Sequence, residues 1–254
     1  MLSNCTSHNI VCGTMIIASL QNPRIKHVVR LRDRRDRDRE QRMLIEGYRP
    51  LLRAAEKAYP VETLFFCPEH FQGGNERVLI ERYKAAGCTC IETTAAVFCK
   101  MAYRDRPEGL LAVAPQVHRS LSDFVITQTV PLLLVAESIE KPGNLGTMLR
   151  SADAAGVSAF ILCDARTDLF NPNVVRASIG TLFTVPVLEA EKEEALSWLR
   201  EKGISLAAAT PHAPMLFTNA DFKQPLAIAV GTEQYGLTEA WMDSSDIRVR
   251  IPMH

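Results

Sequence analysis

Residues 132–156 read LLLVAESIEKPGNLGTMLRSADAAG. Leu132–Glu137 is an apolar run of strand length. A turn bearing proline and glycine follows. Asn144–Ala155 reads as a helix, and Gly156 supplies its stop. Strand, glycine loop and helix in this order open a βαβ unit, and the pattern continues downstream. Ala159–Cys163 is a strand. Asn171-Pro172 pairs an N-cap with proline at the first helical position and opens a helix to Ser178. Thr184–Leu188 reads as a strand, Glu191–Lys202 as a helix stopped by Gly203, and Ser205–Ala209 as a strand. Leu226–Gly231 and Ile247–Ile251 are further strands, with Gly236–Met242 between them. Strands this apolar belong to a parallel sheet covered on both faces, so the fold class is α/β.

Upstream, strands and helices also alternate. Leu31–Ala58 has few breakers and reads as helix, interrupted near Gly47. Glu62–Cys67, Cys88–Ile91 and Gly109–Ala114 read as strands, and Val78–Ala86 as a helix ended by Gly87. The expected division is an extension over residues 1–15, a small α/β domain over 16–118, a polar linker over 119–130 and the second α/β domain over 131–254. Met15 is a second possible start.

The 254 residues carry no formal net charge and are 47% hydrophobic. These values exclude a wholly disordered, collagen-like or coiled-coil chain. No apolar run approaches 18 residues, so no membrane helix is expected. The N-terminus lacks the basic and apolar regions of a secretory signal. The seven cysteines are odd in number and contain no CxxC pair. They read as reduced thiols of a cytoplasmic protein. Cys88 and Cys90, two apart, point to one face of a strand. The histidines make no metal-ligand spacing, so no metal is expected.

The zero net charge hides a basic segment. Residues 24–53 hold eleven basic residues against five acidic ones, a local excess of six. Arginine dominates, and its planar fork of donors matches phosphate. An RNA- or DNA-facing helix is one reading. A solvated helix laced by pairs such as Arg32–Asp36 and Asp33–Arg37 is the other.

Three motifs carry the chemistry. In the first, Lys141 to Gly156, Gly143 and Gly146 let backbone approach a ligand, the helix start offers free N–H groups to an anion, and Arg150 lies further in. The spacing is neither Rossmann nor Walker. The second, Ala229-Val-Gly-Thr-Glu-Gln-Tyr-Gly-Leu237, puts Glu233 at the carboxyl edge of the sheet, where open α/β sheets bind ligands. The third is Arg248-Val-Arg-Ile-Pro-Met253.

Together these motifs resemble the SpoU-type (TrmH-like) branch of the SPOUT RNA methyltransferases. The Asn-x-Gly-x-x-x-Arg run is matched by Asn144, Gly146 and Arg150. Gly-x-Glu-x-x-Gly-Leu is matched by Gly231, Glu233, Gly236 and Leu237, and Ile-Pro-Met by Ile251, Pro252 and Met253. Val175-Arg-Ala-Ser-Ile-Gly180 is similar to the family's Arg-Ala-Ser-x-Gly segment. Residues 19–26, the basic helix and Leu44–Gly47 resemble the RNA substrate-binding domain often fused ahead of it.

The resemblance implies S-adenosylmethionine as methyl donor, an RNA ribose 2′-hydroxyl as acceptor, a C-terminal trefoil knot and a homodimer through the C-terminal domain. It assigns catalysis to Asn144, Arg150 and Glu233. It assigns the cofactor to Thr210, Gly231, Glu233, Gly236, Leu237, Ile251, Pro252 and Met253. In this scheme Arg150 binds phosphate or the developing alkoxide, and Asn144 and Glu233 orient it. The RNA-facing candidates are Arg24, Lys26, Arg30, Arg34, Arg35, Lys141 and Arg176. Ribosomal RNA is expected ahead of transfer RNA. The family continues past Ile-Pro-Met into a helix containing Ser-Leu-Asn, whereas this sequence stops at His254. Either this sequence omits that tail or it is a truncated member, and a non-catalytic RNA-binding relative is the rival. A nucleotide-dependent α/β enzyme is a third reading.

Overall fold

A computed structural model describes residues 16–252. The expectations for residues 1–15 and for Met253 lie outside that range.

The N-terminal unit runs β1 (Ile16–Ile17), α1 (Pro23–Arg30), α2 (Arg34–Glu40), β2 (Arg42–Glu46), α3 (Tyr48–Glu56), β3 (Thr63–Phe66), α4 (Glu76–Ala85), β4 (Thr89–Thr93), α5 (Ala95–Met101) and β5 (Leu110–Pro115). Its five-stranded sheet is mixed, in the order β1-β4-β3-β5-β2. The long helix expected over Leu31–Ala58 is corrected here. The Asp33 side chain caps α2 by accepting from the Arg35 N–H, and Gln41 ends the helix in the left-handed region at φ 52°. Met43, Leu44 and Ile45 then form a strand antiparallel to β5. Met43 and Ile45 enter one core and Leu44 another, the period-two alternation of a strand buried on both faces. Three consecutive apolar residues among charged ones concealed that alternation. The sequence reading also missed α5.

The C-terminal unit runs β6 (Leu132–Glu137), α6 (Pro142–Ala155), β7 (Ala159–Cys163), α7 (Pro172–Ser178), β8 (Val187–Ala190), α8 (Lys192–Glu201), β9 (Ser205–Ala209), β10 (Met215–Leu216), β11 (Leu226–Val230), α9 (Glu239–Ser244) and β12 (Ile247–Arg250). Its seven strands are parallel throughout, in the order β10-β12-β9-β11-β6-β7-β8. Gly156 caps α6 in the left-handed region. Asn171 caps α7 by accepting from the Asn173 N–H. The strand expected at Thr184–Leu188 begins later, because residues 181–183 form a 3-10 turn.

Alternate residues of β6 and β7 enter opposite cores, as a sheet covered on both faces requires. One of these cores is shared by the two units. It joins Met43, Leu51, Leu64 and Leu110 to Ala136, Leu149, Phe160 and Val174. The segment before β6 is tied down as well. Leu121 is buried in the second C-terminal core, and the Glu189 N–H donates to the Arg119 carbonyl at 2.8 Å.

Candidate active site

The strands β12, β9, β11 and β6 are neighbours and run parallel. Their carboxyl ends therefore release four loops side by side: Ile251-Pro252, the turn at Thr210, Gly231–Leu237 and Ser138–Lys141. Sheet order alone brings the three sequence motifs to one edge.

The Gly231–Leu237 loop folds back on itself. The Thr232 N–H donates to the Gly236 carbonyl and the Gly236 N–H returns to the Thr232 carbonyl, each at 3.0 Å. A Cβ on Gly231 would stand 2.1 Å from the Gly236 backbone, so only glycine permits this closure. Gly236 itself turns at φ 71°. Leu237 drops into the core. Next to it, Thr238 donates through its N–H and its hydroxyl to the two oxygens of Glu137, at 2.8 and 2.7 Å. Glu137 is 1% exposed and ends β6, so it fastens the second loop to the strand that precedes the first. The sequence reading passed over Glu137. A carboxylate closing an otherwise apolar strand was the available signal.

Across this edge Glu233 accepts from both the Asn144 amide and the Lys141 ammonium. The Lys141 ammonium, followed by the Asn144 amide, holds the Glu233 carboxyl below the usual range. It is therefore ionised at neutral pH and can accept from both donors. This gives Lys141 a protein partner, where the sequence reading had assigned it to RNA. Arg150 stands apart from the junction. Six residues beyond Asn144 on α6, it is about 9 Å further along the axis. It is exposed and has no protein partner among the described residues, so Asn144 and Glu233 do not orient it. Instead it lines a hollow with Arg49, Arg53 and Asp153. Burial pushes the Asp153 carboxyl up, but the Thr184 hydroxyl and the Arg53 guanidinium outweigh it and hold it low.

Gly146 has a different role from the one expected. A Cβ there would meet Ala177 Cβ at 2.5 Å and the Ser178 nitrogen at 2.8 Å. Its small size serves the packing of α6 on α7, not a ligand.

Thr210 follows β9, and its N–H donates to the Val249 carbonyl at 2.9 Å. Ile251 is 63% exposed, and Pro252 is also exposed. Thr210, Gly231, Gly236, Leu237, Ile251 and Pro252 offer backbone groups, one hydroxyl and apolar surface, and the one ionised side chain of the set, Glu233, is engaged by Lys141 and Asn144. That donor set fits an uncharged nucleoside, and hence the adenosine part of S-adenosylmethionine.

The basic segment separates by partner. Arg37 is buried and bonds Asp168, the Leu31 carbonyl (3.0 Å) and the Arg32 carbonyl (2.6 Å). Arg32 donates to the carbonyls of Lys100 and Ala102, at 2.5 and 2.6 Å, closing the end of α5. The expected Arg32–Asp36 and Asp33–Arg37 pairs do not form: Arg32 is spent on those carbonyls and Asp36 on Arg39, while Asp33 caps α2 and Arg37 is held by Asp168. Arg34 pairs with Asp38 at 3.2 Å. Arg24, Lys26, Arg30 and Arg35 are exposed on α1 and α2, and Arg176 is exposed on α7.

Comparison with known proteins agrees with both units. Residues 131–254 match the SpoU rRNA methylase family, and residues 22–112 match the MRM3-like substrate binding domain. The 23S rRNA (guanosine(2553)-2'-O)-methyltransferase RlmP of Bacillus subtilis is 24% identical over 94% of this chain and 90% of its own. The AdoMet-bound rRNA methyltransferase from Sinorhizobium meliloti superposes with a TM-score of 0.84 at 27% identity, covering 94% of this chain and 89% of that one. An RNA 2'-O ribose methyltransferase of known crystal structure is 40% identical, with a TM-score of 0.82, over 94% of this chain and 90% of that one. Identity at that level, carried through nearly the whole of both chains, goes beyond a likeness of fold: this chain belongs to the SpoU rRNA methylase family.

Proposed function

We propose that the chain is an S-adenosylmethionine-dependent RNA ribose 2′-O-methyltransferase acting on ribosomal RNA. The observation that carries this reading is the Glu233 junction. One carboxylate binds Lys141 and Asn144 of the first motif from the second motif's loop, on the sheet edge that also bears Thr210, Ile251 and Pro252. The donor named in the solved relative and the substrate named in RlmP support the same assignment.

S-adenosylmethionine, when bound, supplies an electrophilic methyl group on a sulfonium. The chain supplies position and charge. The Gly231–Leu237 turn and the Ile251-Pro252 segment present backbone groups to hold the donor. The Glu233 junction locks that turn to the start of α6, which fixes the donor loop relative to Arg150. A guanidinium offers donors and no acceptor. Arg150 therefore acts by binding phosphate or by stabilising the oxygen as it loses its proton, not as a free base. Holding two reactants in line supplies a large share of the barrier reduction. A trefoil knot, a homodimer through the C-terminal unit, a cytoplasmic location and RNA contacts by Arg24, Lys26, Arg30, Arg34 and Arg35 complete the reading.

Arg150→Ala tests it. Transfer of tritiated methyl to rRNA should fall by at least about 10²-fold, as when one transition-state donor is removed. Calorimetric binding of S-adenosylmethionine should stay within about twofold of wild type, since Arg150 does not touch the donor in this scheme. Retained transfer would overturn the role of Arg150. Preferential transfer to tRNA would redirect the substrate.

A further inference from the structure

A groove of about 840 Å³ runs between the N-terminal unit and α7, with Tyr48, Arg106 and Arg176 on its walls. A second hollow, of about 530 Å³, contains Arg150 and lies between α3 and α6. Arg49 and Ile179 line both, so the two meet at that pair. Along the joined path Arg106, Arg176, Arg49 and Arg150 are exposed, and none has a protein partner among the described residues.

Their neighbours are committed elsewhere. Arg53 is bound to Asp153 and Arg104 to Glu108. The acids along the path are mostly spent too. Glu76 is buried and accepts from the Gln72 and Gly73 N–H groups at 2.9 and 2.8 Å. Asp105 and Glu56 remain exposed, so four uncommitted guanidiniums face two uncommitted carboxylates. Guanidinium forks match phosphate oxygens, and the Tyr48 ring offers a face on which a base can stack. An open path with spaced cations suits an extended strand.

We propose that this path carries the single-stranded RNA flanking the acceptor nucleotide, and that Arg49 is a positioning residue gripping a phosphate beside the ribose presented to Arg150. The inference rests on the methyltransferase reading. It moves the principal RNA contact from the basic helices α1 and α2 to the cleft between the units.

The test uses Arg49→Ala, Arg49→Lys and Arg106→Ala in the full chain, with Lys202→Ala as a surface control. Methyl transfer to rRNA lacking the modification gives kcat and KM. Anisotropy of a fluorescein-labelled uridylate 12-mer, measured over a range of salt, gives binding. Arg49→Ala should raise KM for rRNA about tenfold, with Tm and S-adenosylmethionine affinity unchanged. Its salt slope should shrink by about 0.7, because one phosphate is no longer gripped. Arg49→Lys should recover part of both, because it keeps the charge without the fork. Arg106→Ala should lower the salt slope similarly, with a smaller effect on KM. Unchanged KM and salt slope in Arg49→Ala overturn the proposal. If wild-type protein methylates no RNA, the methyltransferase reading fails, and the 12-mer still decides the path: weaker binding by Arg49→Ala upholds it, and equal binding overturns it.

Discussion

Segment 24–53 and the carboxyl edge of the seven-stranded sheet both carry dense chemical signals in the sequence, yet they are built on different terms. At the sheet edge the motif residues are one another's partners. Asn144 and Lys141 meet Glu233, and Gly231 meets Gly236. In the basic segment some partners are local, as Asp38 is for Arg34, but others are remote and absent from any local pattern. Arg37 finds Asp168 and Arg53 finds Asp153, while Arg24 and Arg35 find no acid among the described residues. A motif that supplies its own contacts can be read locally. A charge cannot, because burial and partner decide whether it is a strut or a free hand.

Arg37→Ala breaks the comparison at its strongest point. Asp168 would be left buried and uncompensated, so chemical denaturation should report a loss of about 3–5 kcal/mol. Arg35→Ala, two residues away on α2, should cost less than about 0.5 kcal/mol. Equal costs would mean that the two arginines do not differ as described. Glu233→Ala probes the other region. It frees the two motif loops from each other, and methyl transfer should drop by about 10²-fold, the scale of a small misplacement of reacting groups. Thermal stability should barely change, since the carboxylate is exposed, and a large fall in Tm would point to a structural role. Gly146→Ala should destabilise by about 1–3 kcal/mol, through overpacking of α6 against α7 in a denaturant titration. A neutral result would reopen Gly146 as a ligand contact.

Glu46 gives the smallest and most pH-specific effect. Burial raises its carboxyl above the usual range, and the hydrogen bond from the Tyr103 N–H offsets this in part. The folded chain thus holds a proton that the unfolded chain gives up at lower pH. Stability must fall as pH rises from the unfolded value through the folded one. Glu46→Gln keeps an acceptor for Tyr103 and removes that loss. Its advantage over wild type should grow between pH 4 and pH 8, reaching on the order of 1 kcal/mol. A pH-independent difference in Tm would contradict this.

Most of the seven-stranded sheet was legible because β6, β7, β9 and β11 are largely apolar runs, punctuated by Gly156, Asn171-Pro172 and Gly203; the two-residue β10 at Met215–Leu216 carries no such signal and was missed. The candidate site was legible as far as Asn144 and Glu233, which sit in motifs of fixed spacing, and not for Lys141, whose partner lies 92 residues away in the chain. What escaped was tertiary. The strand Arg42–Glu46 sits among good helix formers, and only its pairing with β5 and its cover by α7 decide its conformation. Gly146 looked like ligand chemistry because a glycine needed for helix contact has the same letter as one needed for a loop. Glu137 and Arg49 carry no motif, and they matter through what the fold sets beside them.

The core that joins Met43 and Leu64 to Leu149 and Phe160 also has a bearing on how the molecule melts. Two family modules that can be told apart by sequence share one oil drop, so neither can be withdrawn without wetting the other. Calorimetry should record a single endotherm, and splitting the gene between residues 115 and 131 should yield two sticky halves in place of two working parts.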